Sequence, residues 1–238
     1  LRWVGIAIIA LLGLAALLVW RDFETWRALK GASANAAEDA RGWLAVNERG
    51  LLLGQSAFDT RRYDAAIAGR RECAFLGGYL PARAGARPHI GHWVEPHRQR
   101  DQIASPAMRK LLSGAFSDAA AQNPETLSVG PSVLDRGGEA LFVRKVGEQV
   151  KREAADFHQA DGSMHVSISA ADAATVIETG WGQAYPLAGR ENFPVGYVLI
   201  YAPRGDVDLE IEARILRAAI GHAGAYQCLN LSAAEQQR

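Results

Sequence analysis

The residues from Asp156 to Pro203 restrict the possible folds more than any other stretch of this chain. Met164 to Ser169 alternates, with Met164, Val166 and Ile168 on one side and His165, Ser167 and Ser169 on the other. A period of two means a strand. Ser169 with Asp172 after it makes a capping-box-like start and Gly180 a stop, so 170–179 is expected to be a short helix. The run Gly180-Trp181-Gly182-Gln183-Ala184-Tyr185-Pro186-Leu187-Ala188-Gly189 then reads as a turn too rich in Gly, Trp and Pro to be a mere connector. Val195 to Ala202 is apolar on both faces, the pattern of an interior strand. Pro203-Arg204-Gly205 breaks it, and Asp206 opens a helix that reaches about Ala219.

Far upstream, Trp3 to Trp20 contains no charged residue. As a helix it would span about 27 Å, close to the hydrocarbon thickness of a bilayer. Tryptophans sit at both ends, and Arg2 and Arg21 lie just outside them. A single-pass N-terminal membrane anchor over residues 1–20 is therefore expected. It is favoured over a cleaved signal peptide because Ala-Leu-Leu-Val-Trp-Arg lacks a small-residue cleavage pattern. Residues 21–40 read as a juxtamembrane amphipathic helix, with Phe23, Trp26 and Leu29 on one stripe, followed by a linker. Residues 41–225 suit one α+β domain with a small mixed or antiparallel sheet, and 226–238 form a polar tail.

Inside that domain, helical patterns run over 40–53 and again over about 60–76, and Ser105-Pro106 starts a helix that extends to about Gln122. Residues 127–129 and 140–143 are short strand candidates, with a turn signal at 135–138 between them; the charged segment 145–157 reads as a helix. Lys and Arg balance Asp and Glu at 26 each and form no basic tract, which gives no reason to expect a nucleic-acid partner. Cys73 and Cys228 fit no metal spacing; two free thiols or one long-range bridge remain open, the thiols favoured.

Phosphate-cradling, dinucleotide and Gly-x-Ser-x-Gly motifs are all missing from the chain. Between Tyr79 and Arg100, prolines and glycines forbid long elements and bring in His89, His92 and His97. Three imidazoles from one loop could hold a catalytic zinc in a hydrolase, although no fixed ligand spacing supports this. The alternative is that His97-Arg98-Gln99-Arg100 binds an anionic or enolate oxygen through charge-assisted hydrogen bonds.

Several motifs taken together carry a resemblance. Asp161-Gly162-Ser163-Met164-His165, Gly180-Trp181-Gly182-Gln183, Pro186-Leu187-Ala188-Gly189 and Tyr201-Ala202-Pro203-Arg204 follow one another in the second half. Arg21-Asp22-Phe23, Arg87-Pro88 and the 97–100 run precede them. This series resembles the fungal luciferases and their uncharacterised bacterial relatives. The resemblance implies a cofactor-independent oxygenase, with dioxygen as co-substrate and no metal. Its substrate would be an enolic pyrone such as 3-hydroxyhispidin, which loses carbon dioxide and leaves a carbonyl product in an excited state. The chain departs from the family at Asp156, where the family has the first His of His-x-His, and at Tyr185, where it has a His before Pro-Leu-Ala-Gly. A non-catalytic binding protein that has lost its histidine set is thus the alternative.

Such a reaction needs a base for the enol proton, and imidazole suits that near neutral pH. His165 is the first candidate and His158 the second, with Asp156 to orient an imidazole. Arg98 or Arg204 would hold the enolate, with His97 beside Arg98. Trp181, Tyr197 and Tyr201 would supply a dry aromatic wall. Tyr185 would donate a hydrogen bond to substrate, since its phenol is too weakly acidic to serve as a base.

Overall fold

A computed structural model describes residues 2–30, 39–69, 73–135, 138–144 and 151–224. The strands are β1 (Leu127–Pro131), β2 (Glu139–Arg144), β3 (Lys151–Phe157), β4 (Met164–Ser167), β5 (Gly182–Ala184) and β6 (Tyr197–Ile200). They form one antiparallel sheet in the order β1-β2-β3-β4-β6-β5. The helices are α1 (Arg2–Lys30), α2 (Ala40–Leu53), α3 (Asp64–Ala68), α4 (Pro106–Gln122), α5 (Ala170–Glu178) and α6 (Asp206–Gly224). The chain is α+β, and of the two expected sheet types the antiparallel one is found.

Local signals explain most of these elements. Ser105 Oγ accepts from Met108 N at the start of α4, where Pro106 gives up no needed N–H. Ser169 Oγ accepts from Asp172 N and donates to the Asp172 carboxylate at the start of α5. That carboxylate also accepts from the backbone N–H groups of Phe75 and Leu76, which ties a distant loop to the helix end. β4 and β6 pair with each other and both lie inside the sheet, as the pattern of β6 predicts.

One face of the sheet is apolar. Ala155, Phe157, Met164, Val166, Val198 and Ile200 meet Phe116 of α4, Val176 of α5 and Ile215 of α6. Complete burial of each large side chain contributes roughly 1.5–3 kcal/mol, enough to fix the strand register. The other face carries His165 and Ser167, yet these are buried too. It is roofed by a second apolar cluster that includes Trp26, Val46, Trp93, Val94, Leu187 and Tyr197. The sheet is therefore enclosed between two layers.

α1 divides sharply along its length. Residues 2–21 are exposed although almost wholly apolar, whereas burial begins at Asp22 and is complete at Trp26. Trp26 Nε1 donates to Glu95 O at 2.8 Å, and the Asp22 carboxylate accepts from the indoles of Trp43 and Trp93. The amphipathic stretch expected after Trp20 thus continues α1 without a break and becomes part of the roof.

The structure corrects several expectations. Lys151–Phe157 is a strand rather than the end of a helix; residues 145–150 lie outside the described set. Lys, Glu and Ala favour helix in isolation, but β2 and β4 flank this segment and complete its backbone hydrogen bonds. The second helical pattern ends at Ala68, after a 3-10 turn over Thr60–Tyr63. The presumed turn after Gly180 contains β5, an edge strand that the glycines and short length concealed. Cys73 is disulfide-bonded, not a free thiol. Most of the expected linker, the centre of the 135–138 turn and the polar tail lie outside the described residues.

Candidate active site

Strand register places the polar side chains in one row. Asp156 of β3 pairs with His165 of β4, His165 with Leu199 of β6, and Leu199 with Gln183 of β5. Directly paired residues share a face, so Asp156, His165 and Gln183 all point under the roof. Gly182 makes this possible at the sheet edge, because a Cβ there would lie 2.4 Å from Leu199 O. Gly189 has φ +76° and turns the chain back toward the roof.

The loop carrying His97 and Arg98 is clamped over this row. Gln99 N donates to Asp161 Oδ2 at 2.7 Å, and Gln99 Oε1 accepts from Ala202 N at 2.6 Å. Asp161-Gly-Ser-Met-His and Tyr201-Ala-Pro-Arg thereby act at a distance, by holding the His97–Arg98 loop in place.

One amide and two imidazoles then form a chain of contacts. Tyr201 Oη donates to Gln183 Oε1 at 3.1 Å, which fixes the amide so that its Nε2 donates to His97 Nε2, also at 3.1 Å. His97 Nδ1 must then carry the proton shared with His165 Nε2 at 3.1 Å. His165 Nδ1 in turn faces Asp156 Oδ1 at 3.5 Å, a contact too long to count as a hydrogen bond. Asp156 Oδ2 accepts from Tyr197 Oη at 2.7 Å. The His165 ring stacks on His97 and on Tyr197, and Tyr185 meets all three rings edge-on.

His158 completes the base of the site. Ser163 Oγ gives its proton to Asp161 and also lies 2.8 Å from His158 Nδ1. His158 Nε2 lies 2.8 Å from both Asp156 Oδ1 and Arg98 NH1. Arg98 also forks onto both oxygens of Asp135.

Electrostatics follow from this burial. Loss of water, with His165, His158 and Arg98 nearby, holds the His97 imidazole well below its ordinary value. Burial and the Arg98 guanidinium also lower His158, so both rings are neutral at pH 7. Burial would raise the Asp156 carboxyl, but His165 and His158 together hold it below the usual carboxylate range. Burial opposes the charge on Arg98, while Asp135, Asp161 and Asp156 hold it charged. The site thus sets two imidazoles of lowered basicity, His97 and His158, beside an ionised carboxylate and a fixed cation.

A cleft of about 520 Å³ reaches this network from the surface, and among the described residues His97 and Gln183 meet it. His165 does not line that cleft; it lies behind His97 with no exposed surface. Of the bases expected from the sequence, His165 and His158, neither lines the cleft; His97, expected beside Arg98, does.

The structure gathers Asp156, His158, His165, His97, Arg98, Tyr185, Tyr197 and Tyr201, and leaves two expected residues outside. Trp181 belongs to the apolar cluster on the helix side, with its Nε1 bonded to Pro81 O at 2.6 Å. Its ring fills the core because it follows α5 on that side of the sheet. Arg204 pairs with Asp208 at the start of α6 and donates to Ala84 O, so it reaches no imidazole. Sequence reasoning missed Gln183 and Asp135. The Gly-Trp-Gly-Gln motif was the signal for the first; nothing marked the second.

His89, His92 and His97 do not converge. His89 is exposed and pairs with Asp101, His92 lies 3.6 Å from Asp22, and His97 is buried. The expected triple-His site is thus absent among the described residues. A different set, Asp135, Asp156, His158 and His165, brings ligand atoms within 4.8 Å of one another. Arg98 already presents its guanidinium to Asp135 and His158, which supplies a cation in that same space.

Fold and site together define a class: an α+β domain that buries a network of contacting imidazoles under an aromatic roof. Comparison with known proteins narrows this. The Luciferase domain family matches residues 151–219, which run from β3 into α6. The chain is 28% identical over 222 residues to a luciferase of Armillaria gallica, covering 85% of this chain and 80% of that one. It is 27% identical over 225 residues to a luciferase of Neonothopanus nambi, covering 86% and 81%. No solved structure gives a significant match. These likenesses support the fungal luciferase family as the one to which this chain is related, and luciferase-type function at the family level.

Proposed function

We propose that this chain is a membrane-anchored, cofactor-independent oxygenase of the luciferase type, acting on an enolic pyrone such as 3-hydroxyhispidin. The observation that carries the reading is the line from the cleft through His97 to its hydrogen-bonded neighbour His165, whose Nδ1 stands 3.5 Å from Asp156. His97 Nε2 takes the enol proton when substrate displaces the Gln183 contact. His97 passes its Nδ1 proton to His165, whose own Nδ1 proton moves toward Asp156. The proton thus leaves the reacting centre, while Arg98 holds positive charge behind the imidazoles.

The electron-rich enolate then adds dioxygen, and the adduct loses carbon dioxide to leave a carbonyl product. Tyr185, Tyr197 and Phe193, packed ring to ring, keep water from the reactive adduct. Asp156 is the terminal carboxylate of the relay, which gives the departure from His-x-His a role. Tyr185 is a wall residue.

Anchoring is the second part of the proposal. The apolar half of α1 has none of its surface buried against the domain, as a lipid-facing helix requires. The partner is the bilayer, through residues 3–20.

The test is direct. Purified full-length protein, hydroxylated hispidin and air are mixed, and oxygen uptake, pyrone loss and light are followed. Substrate loss coupled to oxygen uptake is expected. Loss of neither, beside an active fungal enzyme, would reject the reading and favour a binding protein. A metal-dependent reading has one observation in its favour, the four ligand atoms around Asp156. Stoichiometric metal after purification without added ions would support it.

A further inference from the structure

The cleft leading to His97 has an unusual rim. Its wall includes Gly50, Gly54, Gln55, Phe58, Ile90 and His92. Between the two glycines, the last turn of α2 carries Leu51 and Leu52, exposed at 86% and 67%, and Phe58 is exposed at 53%. Among the described residues, none of the three belongs to either buried apolar cluster. In water, large apolar side chains left exposed forgo the stabilisation that burial would return.

The rim is also joined to α1 through neighbours. Asp22 is the second residue past Trp20, where the apolar run ends. His92, on the cleft wall, lies 3.6 Å from Asp22, and the neighbouring Trp93 indole donates to the same carboxylate at 3.1 Å. Val94 comes next in the chain, lines the same cleft and lies beside Gly50 of α2, where an added Cβ would meet it at 3.5 Å. The cleft wall and the last turns of α2 are thus connected to the residues just past the apolar run, beside which lipid headgroups would lie if α1 spans a bilayer. Arg87 lies over the Phe58 ring at 4.5 Å, and so sets a cation beside the apolar rim, a pairing suited to the interface.

We propose that the end of α2 at Leu51 and Leu52, together with Phe58, is a lipid-immersed lip of the cleft, through which an apolar aromatic ligand enters from the bilayer. The proposal rests on the membrane-anchored reading and adds a second contact with lipid. It accounts for an apolar rim on a cleft whose floor is polar. A planar, weakly acidic ring that partitions into headgroups would meet the cleft mouth laterally and would encounter its first base at His97.

Vesicles of phosphatidylcholine carrying the full-length chain test this. Single cysteines at Leu51→Cys, Leu11→Cys and Ser117→Cys are labelled with nitrobenzoxadiazole, and emission is recorded with and without doxyl-labelled phosphatidylcholine. Leu51 and Ser117 are exposed, and Cys73 is disulfide-bonded and does not compete for label. The labels at 11 and 51 should shift to shorter wavelength and lose most of their emission to the quencher, whereas the label at 117 on α4 should not. Quenching at 11 with a response at 51 like that at 117 overturns the lip and leaves the anchor standing. An unquenched label at 11 removes both.

Discussion

His97 Nδ1 lies 3.1 Å from His165 Nε2, and the two rings stack with their planes 16° apart. Sixty-eight residues separate them in the chain. Their contact joins the cleft to Asp156, and most of what can be tested about this protein follows from it.

The first prediction concerns that pair. His97→Ala and His165→Ala should each lower turnover about 10²–10⁴-fold, the usual contribution of a positioned acid or base. Because the two act in series, the double variant should be little worse than the worse single one. Single-turnover pyrone consumption measures this. Losses that multiply would mean the rings act independently.

Gln183 sets the direction of the relay through its amide. Gln183→Leu removes the donor to His97 Nε2 and should raise KM little while lowering kcat about 10-fold, as expected when a ring loses its preferred tautomer. Tyr201→Phe frees the same amide to flip and should give a smaller loss of the same kind. An unchanged kcat in both variants would show that the tautomer is set elsewhere.

Arg98 is a fork where lysine offers a point. Arg98→Lys cannot meet both Asp135 oxygens and His158 together, so Asp135 is left partly unpaired. Breaking a buried pair costs about 3–5 kcal/mol, and chemical denaturation should register most of it. A stability within error of the parent would mean that water replaces the lost contacts.

Glu212 predicts a pH dependence of stability. Neither of its carboxylate oxygens has a hydrogen-bond partner among the described residues, and burial, reinforced by Asp208 against Arg83, holds its carboxyl well above the ordinary value. The folded state therefore keeps a proton that the unfolded chain releases near its ordinary pKa of about 4.3. Stability from this group is undiminished below that pH and falls as pH rises toward the folded value. Glu212→Gln should leave Tm nearly unchanged at about pH 4.3 and raise it at alkaline pH, by about 2–4 °C per kcal/mol recovered. A Tm gain that is equal at both pH values would refute the assignment.

Much of this was legible in the chain. The alternation from Met164 to Ser169 fixed a strand with His165 opposite Met164 and Val166, and the apolar run after Val195 fixed its interior neighbour. The Ser169 and Ser105 caps were legible because a cap is a local bond. Alternation alone suggests a polar face in water; here the roof of α1, α2 and the 85–102 loop covers it, and no local pattern encodes a roof. Lys151–Phe157 reads as helix because propensity is local, whereas the pairing that makes it a strand comes from both neighbours.

The sequence by itself determined which chemical groups are present, the local turns and caps, and an apolar N-terminal run with nowhere to bury itself. Tertiary structure alone decided that His97 precedes His165, that Gln183 joins them and that Trp181 and Arg204 do not. Those decisions depend on strand register and on a loop clamped by Asp161 and Ala202. Both arise from contacts between residues far apart in the chain, where side-chain periodicity carries no information about distance.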